Sequence, residues 1–238
     1  MLKVVTSKEN PKIKLALSLK EKNGQKEHHM FLAETYKSLE MAAKHGQVVE
    51  IFATEYVNGY EDINQTLVSE DLLKKLSSNV HPEGVVFMCK EKHLLKKEHH
   101  KILYLDDIND PGNMGTLIRT ALAFSYDLVV ASKNSVSFYN PKVINSSKGA
   151  IFAIDVVEDE LDKYLDDKTL IVSSLEKDSV DLKEVNIKDD FILVIGSESH
   201  GVNPKIVKKA DIKVKIEMDN IDSLNAAVAG GILMNQIR

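Results

Sequence analysis

Two patterns of apolar residues divide the chain. Up to about residue 100, short apolar runs alternate with segments of helical spacing, and this pattern predicts a small α/β domain over residues 1–95. Strands are expected at 31–33, 48–53 and 85–89, and helices at 36–44 and 69–77. The charged stretch 90–100 has little apolar periodicity, so the domain boundary is placed there.

The second part of the chain has stronger apolar runs, which are rich in Val, Ile and Leu. These runs are the expected strands at 102–105, 128–131, 151–156, 170–172, 191–195 and 212–216. The expected helices lie at about 113–124, 142–148 and 205–209, and from 223 to the C-terminus. Apolar strands between helices indicate a parallel sheet covered on both faces. The sequence therefore predicts an α/β fold, with a second domain over residues 101–238.

The charges are unevenly distributed along the chain. The formal net charge of -5 argues weakly against a nucleic-acid partner. Residues 1–26, however, contain seven lysines and two acidic residues, whereas residues 101–238 contain 16 basic and 22 acidic side chains. The leading segment is therefore either an RNA-binding patch or a solvated, lysine-rich helix, and charge alone leaves both interpretations open.

Membrane, disulfide and metal signals are weak in this sequence. No apolar stretch approaches the roughly 18 residues that a membrane-spanning helix needs. Residues 1–6 lack the apolar run of a signal peptide, and the single cysteine, Cys89, has no cysteine to pair with. A cytoplasmic protein without a membrane partner is therefore expected. The histidine pairs 28–29 and 99–100 lack the spacing of metal ligands, so no metal is expected and these histidines are predicted to lie on the surface.

Three loops that leave apolar runs are the candidate ligand sites, because open parallel sheets bind ligands beyond the carboxyl ends of their strands. The first loop, 106–121, offers a helix N-terminus to a polar ligand and contains Arg119. The chain has 29 lysines and two arginines, so a guanidinium here suggests that its planar fork is needed for a phosphate or a ribose oxygen. Plain turn chemistry, and a structural pairing of Arg119 with Asp106 or Asp107, remain the alternatives.

In the second loop, 195–202, two glycines allow the backbone to approach a flat ligand closely. Glu198 lies at the mouth of the sheet, where a carboxylate needs solvent or a partner, and Arg119 is the candidate partner. A hydrolase is disfavoured, because the adjacent residues Ser199 and His200 lack the spacing of a nucleophile elbow.

The third loop, 216–231, leads into a helix of small residues, which can pack closely against another backbone. Asp222 or Ser223 is expected to cap this helix. Taken alone, the segment is an ordinary capped helix, and it points to a function only beside the other two loops.

Together, the three loops resemble the three motifs of the SpoU family, also called the TrmH family, of the SPOUT methyltransferases. The matching residues, in the family's order and spacing, are Asn113-x-Gly115-x-x-x-Arg119-x-Ala121, Ile195-Gly196-x-Glu198-x-x-Gly201, and Ser223-Leu224-Asn225 followed by Ala229. The N-terminal part resembles an L30e-like substrate-binding domain through Lys12-Ile13-Lys14, Phe31-Leu32-Ala33-Glu34 and His81-Pro82-Glu83-Gly84-Val85. The resemblance covers essentially the whole chain.

The resemblance implies a parallel sheet with a deep trefoil knot, preceded by the L30e-like domain, and a homodimer. It also implies S-adenosylmethionine as the cofactor, held largely by backbone groups that correspond to Gly196, Ile216 and Leu224. The polar catalytic site maps onto Asn113, Arg119, Glu198, Ser223 and Asn225. The RNA contacts expected in the basic leading segment are Lys12, Lys14, Lys20 and Lys22.

The implied reaction is methylation of a ribose 2′-hydroxyl in RNA. Ribosomal RNA is the expected substrate, because the two-domain layout resembles that of the ribosomal members, and transfer RNA is the alternative. A guanidinium has a pKa above about 12, so we expect Arg119 to orient the hydroxyl and to stabilise the developing alkoxide rather than to remove its proton. A backbone phosphate is the candidate proton acceptor.

The sequence departs from the family pattern at three positions. Thr35 and Ser125 stand where glycine is usual, and Ala227 stands where serine is usual. The missing hydroxyl at Ala227 is the departure that bears on chemistry, and it leaves open an RNA-binding protein without turnover. A methyltransferase that acts on a base nitrogen is disfavoured, because the motifs are those of the ribose methylators.

Overall fold

The computed structural model describes residues 4–91, 98–187 and 190–237. Part of the predicted domain boundary, residues 92–97, lies outside the described residues. The described chain forms two compact units, one on each side of that segment. Each unit has its own sheet and its own hydrophobic core.

The N-terminal unit is a four-stranded sheet with helices packed on it. Its strands are β1 (Met30–Glu34), β2 (Val48–Ala53), β3 (Gln65–Leu67) and β4 (Val85–Lys90). Its helices are α1 (Pro11–Ser18), α2 (Lys22–His28), α3 (Tyr36–Lys44) and α4 (Glu70–Leu76). The strand order is β1-β4-β2-β3, and β4 runs antiparallel to β1 and β2. Ile13 of α1 and Leu72 of α4 belong to one core with Phe52 of β2.

The C-terminal unit is a parallel sheet, as the sequence predicts, and it has seven strands where six were expected. Its strands are β5 (Lys101–Asp106), β6 (Leu128–Ala131), β7 (Asp155–Glu158), β8 (Thr169–Ser173), β9 (Val180–Asp181), β10 (Phe191–Gly196) and β11 (Ile212–Lys215). Its helices are α5 (Pro111–Ala123), α6 (Pro141–Ser147), α7 (Pro204–Val207) and α8 (Ala226–Gln236). The strand order is β7-β6-β5-β10-β8-β11-β9, and every neighbouring pair is parallel.

Four helices begin at an Asn-Pro or Asp-Pro pair, which explains where they start. The Asn or Asp side chain accepts a hydrogen bond from a backbone N–H of the first turn, and proline lacks an N–H at a position where that group has no helical partner. In α5, Asp110 accepts from the Asn113 N–H at 2.7 Å. The same arrangement opens α1, α6 and α7, at Asn10, Asn140 and Asn203.

The segment around residues 151–156 differs from its predicted form. It is not one strand, because Ala150–Phe152 forms a 3-10 helix and β7 begins only at Asp155. Both pieces are buried, and an apolar run by itself does not separate a strand from a buried turn of helix. His99 is 9% exposed, and its Nε2 lies 3.2 Å from Asp155 Oδ2, so the prediction of a surface position is wrong for His99.

The C-terminal helix starts later than the sequence predicts. It begins at Ala226, and neither Asp222 nor Ser223 caps it. Asn225 is the cap, because its side-chain oxygen accepts hydrogen bonds from two backbone N–H groups of the first turn, at 3.0 and 3.2 Å. The motif asparagine therefore has a structural role at the start of α8.

Helices α5 and α6 pack very closely at Gly115. A side-chain carbon added at Gly115 would lie 2.5 Å from Ser146 Cβ and 2.6 Å from the Val143 carbonyl oxygen. Contacts this short are not tolerated between atoms that are not bonded, so the position requires glycine. The glycine lets α6 lie directly against the helix that follows the first candidate loop.

We expect Gly115→Ala to lower the free energy of unfolding by about 1–3 kcal/mol, because the added methyl group overpacks the contact with α6. Gly231→Ala in α8 is the matched control, since the nearest atom to the added carbon there is Thr120 Cγ2, at 4.0 Å. The control is expected to be neutral or stabilising, because alanine favours a helix more than glycine does. Urea unfolding measures both changes, and equal stability of the two variants would contradict the close-packing argument.

Candidate functional site

The three candidate loops leave the same edge of the parallel sheet. β10 lies between β5 and β8, and β11 lies on the other side of β8. The register places Gly196, at the end of β10, beside Asp106, at the end of β5. Because the strands are parallel, the loops that follow β5, β10 and β11 all begin at the carboxyl edge, where such sheets bind ligands.

Three predicted site residues, one from each loop, form a hydrogen-bonded cluster. Glu198 Oε1 accepts from Asn113 Nδ2 at 2.8 Å and from Asn225 Nδ2 at 2.5 Å. Asn225 Nδ2 also lies 3.0 Å from Asn113 Oδ1, and the Ala226 N–H donates to Glu198 Oε1 at 3.2 Å. We call Asn113, Glu198 and Asn225 the Asn-Glu-Asn cluster. One carboxylate oxygen thus joins the start of α5, the loop after β10 and the start of α8.

The predicted ion pairs of Arg119 are not formed among the described residues. Glu198 is bonded to the two asparagines, and Asp106 Oδ2 accepts from the Asn203 N–H at 2.8 Å. Within the described part of the chain, the Arg119 side chain is exposed on α5 and has no hydrogen bond or ion pair. The predicted pairings of Arg119 with Glu198, Asp106 or Asp107 are therefore wrong, and its guanidinium is available to a ligand.

The loop after β10 folds back tightly on itself. Ser197 and Gly201 form an isolated bridge, and a side-chain carbon at Gly196 would lie 2.1 Å from the Gly201 carbonyl carbon. Gly201 has a φ of +67°, which favours glycine. Asp106 holds the far end of the loop through the Asn203 N–H, and burial is the main cause that raises the pKa of Asp106. Gly196 and Gly201 therefore both allow the loop to fold back on itself.

A cavity of about 560 Å³ opens beside the Asn-Glu-Asn cluster. The three predicted cofactor contacts, Gly196, Ile216 and Leu224, all line it, and so do Glu198 and Ser223 of the predicted catalytic set. Its apolar wall is completed by Ile195, Val202, Val207, Val214, Ala226, Ala229 and Leu233. The volume lies within the range of about 300–1,000 Å³ that is typical of small-molecule sites.

The cavity also contains residues that the sequence analysis does not single out. They are Ser173 at the end of β8, Ser174, Leu175 and Glu176 after it, and Met218 after β11. A signal for the first group exists in the sequence, because β8 is an apolar strand and its carboxyl end belongs to the same edge of the sheet. Glu176 does not present an isolated charge, since its carboxylate lies 2.6 Å from Lys213 Nζ.

Neither a hydrolase triad around Ser199 nor a metal-binding cluster is found among the described residues. Ser199 Oγ lies 2.8 Å from His200 Nδ1, but no third side chain among the described residues hydrogen-bonds to the His200 ring. No group of three or more His, Cys, Asp or Glu in those ranges is arranged to hold a metal ion. The helices of the described chain are all too short or too polar to cross a membrane.

Two of the predicted RNA-binding lysines pair with acidic residues of the N-terminal unit. Lys12 Nζ lies 2.8 Å from both carboxylate oxygens of Glu50, which also accepts from Thr66 Oγ1 at 2.6 Å. The Glu50 side chain is 5% exposed. Lys14 pairs with Glu9, whose side chain is 80% exposed. Lys12 therefore has a structural role, whatever its contact with RNA.

The other two predicted lysines have different surroundings. Lys20 Nζ donates to the carbonyl oxygens of Lys75 and Ser77, at 2.7 and 2.9 Å, and so binds the C-terminal end of α4. Lys22 is exposed at the first position of α2. The RNA contacts of all four lysines remain predictions.

The fold is shared with solved rRNA methyltransferases. The chain aligns with the S-adenosylmethionine-bound rRNA methyltransferase of Sinorhizobium meliloti with a TM-score of 0.87 and 23% identity, over 99% of this chain and 97% of that chain. A likeness at this identity shows the fold. The two-unit α/β fold with its parallel sheet is therefore the fold of these solved proteins, and the predicted α/β class is confirmed.

Sequence comparison gives the family. The model of the SpoU rRNA Methylase family matches residues 100–235, and that of the MRM3-like substrate binding domain matches residues 10–86. The chain belongs to the SpoU rRNA methylase family, and the prediction of an RNA methyltransferase is confirmed. It is 28% identical to the 23S rRNA (guanosine(2553)-2′-O)-methyltransferase RlmP of Bacillus subtilis, over 100% of both chains. It is 32% identical to the uncharacterized tRNA/rRNA methyltransferase MG252 of Mycoplasma genitalium, over 73% of this chain and 68% of that one.

We expect Lys12→Ala to lower the free energy of unfolding by about 1–3 kcal/mol, because it removes a charged partner from the buried Glu50 carboxylate. Lys14→Ala is the matched control and should change stability little, since an exposed ion pair contributes little. Thermal unfolding of the two variants measures the difference. A Lys12→Ala variant as stable as Lys14→Ala would show that the Lys12 contact is not structural.

Proposed function

We propose that the chain transfers the methyl group of S-adenosylmethionine to a ribose 2′-hydroxyl of ribosomal RNA. One observation carries the proposal: the three predicted cofactor contacts line a single cavity that opens beside the Asn-Glu-Asn cluster. Family membership gives the methyl transfer and the class of RNA. The relative RlmP, which matches over its whole length, is named as a 2′-O-methyltransferase of 23S rRNA.

The cavity suits S-adenosylmethionine in size and in chemistry. Ile216, Leu224 and Leu233 offer an apolar surface to a flat ring, and the backbone of the loops after β10 and β11 offers N–H and C=O groups. The Glu198 carboxylate lines the cavity and would supply negative charge that favours a positively charged sulfonium. When bound, S-adenosylmethionine supplies an electrophilic methyl group. The chain's part is to hold the acceptor hydroxyl in line with it.

Polar side chains of the first and third loops position the hydroxyl and stabilise its developing charge. The planar fork of Arg119 orients the RNA and stabilises negative charge on the oxygen. Ser223 is exposed and lines the cavity, where its hydroxyl can hydrogen-bond to a ligand. Ala227 is 8% exposed, and its N–H donates to the Asn225 side chain, so the missing hydroxyl leaves the Asn-Glu-Asn cluster intact.

The two domains divide the work in this proposal. The N-terminal domain, residues 1–95, holds the RNA, and the C-terminal domain, residues 101–238, carries out the reaction. The support is that every residue of the cavity belongs to the second domain, while a substrate-binding family matches the first. Ribosomal RNA is preferred to transfer RNA because RlmP covers both domains. A cytoplasmic location, where ribosomal RNA is found, is part of this proposal.

We further infer that the C-terminal domain contains a trefoil knot. We also infer that two copies of the chain form a homodimer through this domain. The path of the chain supports the knot, because after β11 it passes the loops that follow β5 and β10, and α8 then packs against α5 and β10.

An exposed apolar face of α8 supports the dimer: Val228 is 51% exposed and Ile232, one turn later, is 40% exposed. Such a face suits the self-complementary contact of a two-fold dimer.

Methyl transfer into RNA from cells that lack the gene tests this function. The purified chain and radiolabelled S-adenosylmethionine are incubated with separated 23S rRNA, 16S rRNA and tRNA. We expect label in ribosomal RNA, at a nucleotide whose 3′ linkage resists alkali because its 2′-oxygen is methylated. Label in tRNA alone, or on a base, would overturn the proposed substrate or position. Binding of the cofactor without label in any RNA would favour a binding protein.

Arg119→Lys is expected to lower the rate constant of methyl transfer by about 100-fold or more, because lysine keeps the charge but loses the planar fork. Affinity for S-adenosylmethionine should change little, because Arg119 does not line the cavity. The matched control is Arg238→Lys, which alters the chain's other arginine. Single-turnover kinetics and calorimetry separate the two effects. Normal turnover of Arg119→Lys would remove Arg119 from the catalytic set.

We expect the wild-type chain to form a dimer and the double variant Val228→Asp, Ile232→Asp to be a monomer of 26.6 kDa, since two carboxylates would be buried in the contact. Val180→Asp is the control, because it charges an apolar residue of similar exposure, 40%, on β9. Light scattering at micromolar concentration gives the masses. A monomeric wild-type chain, or a dimeric double variant, would contradict the proposed contact.

A further inference from the structure

One end of the N-terminal sheet carries exposed apolar side chains. Among the described residues of this unit, four large apolar side chains are exposed, namely Tyr36 (48%), Tyr56 (43%), Val80 (87%) and Val4 (48%). The first three belong to segments that adjoin the same end of the sheet, where β1 and β2 finish and β4 begins. We call Tyr36, Tyr56 and Val80 the sheet-end surface.

The register of the sheet places the ends of the two strands that precede the tyrosines near each other. The last residues of β1 and β2 pair with Val86 and Val85, which are neighbours on β4. β4 lies between β1 and β2, so the ends of these strands are about 10 Å apart, twice the spacing of adjacent strands. Tyr36 and Tyr56 follow these ends closely in the sequence. A side-chain carbon at Gly84 would lie 3.6 Å from Tyr36 Oη, so the Tyr36 hydroxyl lies beside the start of β4.

Hydrogen bonds fix the loop that carries Val80. Glu34 is 5% exposed, and its carboxylate accepts from the hydroxyl groups of Ser77 and Ser78. It also accepts from the Ser78 N–H at 3.2 Å, and the Asn79 N–H donates to Ser77 Oγ at 2.9 Å. The loop is therefore held in place before a partner binds, which lowers the entropy cost of binding.

Lysines border the sheet-end surface. Lys37 lies in the first turn of α3, next to the first tyrosine, and Lys75 is exposed in the last turn of α4. Lys20 Nζ binds two carbonyl oxygens at the end of α4, so its charge lies there as well. The exposed acidic residues Glu55 and Glu83 adjoin other parts of the surface. An anionic backbone is therefore favoured on the side of α4.

We propose that the sheet-end surface binds unpaired nucleotides of the substrate RNA, with one base stacked on Tyr36 and another on Tyr56. The inference rests on the proposed function and locates the RNA contact within the N-terminal domain. Aromatic rings stack on unpaired bases of any sequence, while lysines bind the phosphates between them. With a separation of about 10 Å between the strand ends, the two rings contact different bases.

The surface also distinguishes among the lysines predicted to bind RNA. Lys20 adjoins it, through its bonds at the end of α4. Lys12 and Lys14 instead have acidic partners, Glu50 and Glu9. The RNA contact is therefore expected to centre on the end of the sheet and not on α1.

Binding of a single-stranded probe to the full chain tests the proposal. The probe is a fluorescently labelled decamer of adenylate, and the competitor is a blunt RNA duplex. Tyr36→Ala and Tyr56→Ala are each expected to weaken decamer binding about tenfold or more, the scale of one base–ring stacking interaction. Tyr36→Phe and Tyr56→Phe keep the ring and should bind within about twofold of wild type. Val4→Ala removes an equally exposed apolar side chain that has no ring, next to the edge strand β3, and should have no effect because the proposed contacts are stacking interactions.

The dependence of RNA affinity on salt concentration separates stacking interactions from ionic contacts with phosphate. The slope of log affinity against log salt should be unchanged in the tyrosine variants. In the variants Lys37→Ala and Lys75→Ala, the magnitude of this slope should fall by about 0.7 for each phosphate that the protein no longer neutralises. If an alanine variant has a lowered melting temperature, Tyr36→Leu or Tyr56→Leu keeps the apolar bulk without the ring. Alanine and leucine variants that bind the decamer as wild type does would overturn the proposal and would leave the surface to a protein partner.

Kinetics with ribosomal RNA from cells that lack the gene distinguish this inference from the proposed function. If the proposed function and the sheet-end surface are both correct, KM for the RNA rises about tenfold in the tyrosine variants, and the rate at saturating RNA changes much less. An active wild-type enzyme whose KM is the same in all variants contradicts only the sheet-end surface. A wild-type chain that methylates no RNA contradicts the proposed function, and the decamer experiment still decides whether the surface binds unpaired nucleotides.

Discussion

A single carboxylate oxygen, Glu198 Oε1, joins the three loops on which the candidate site depends. It accepts hydrogen bonds from Asn113 and Asn225 and from the Ala226 N–H, all within 3.2 Å. The last of these donors lies at the N-terminus of α8, where a negative charge interacts favourably with the helix dipole. Hydrogen bonds to an ionised acceptor are stronger than bonds between neutral groups. One charge therefore sets the relative positions of loops that lie far apart in the sequence.

The donors around Glu198 are neutral, and this determines how charge is distributed at the site. An ion pair between Glu198 and Arg119 would cancel both charges and occupy the planar fork of the arginine. With amide partners, the carboxylate stays negative beside the cavity, and Arg119 stays positive and exposed on α5. The negative group suits a cationic ligand in the cavity, and the positive group suits an anionic polymer outside it. The two asparagines thus keep two opposite charges available for two different ligands.

Most of the fold could be predicted from the sequence, because the core of a parallel sheet is a set of uninterrupted apolar runs. The run at 151–156 was an exception, since buried residues of a short helix and a strand are equally apolar. The site residues could be named from their motifs, but the partner of Glu198 could not be predicted. An arginine and a pair of asparagines both satisfy a carboxylate, and only the folded chain, which brings the starts of α5 and α8 to Glu198, decides between them. In the same way, no local pattern reveals that Lys12 neutralises a buried glutamate 38 residues later.

The lysines of the leading segment show why a count of charges along a sequence locates an RNA surface poorly. Lys12 is directed at Glu50, so much of its charge is neutralised within the domain. Lys20 is held by carbonyl oxygens, which fix its position but leave a net positive charge at the end of α4. A phosphate that meets Lys20 does not have to order a long side chain, whereas one that meets the exposed Lys22 loses that entropy on binding. Four lysines that are equivalent in sequence therefore differ in what they can offer to RNA, and the difference comes from their partners in the folded domain.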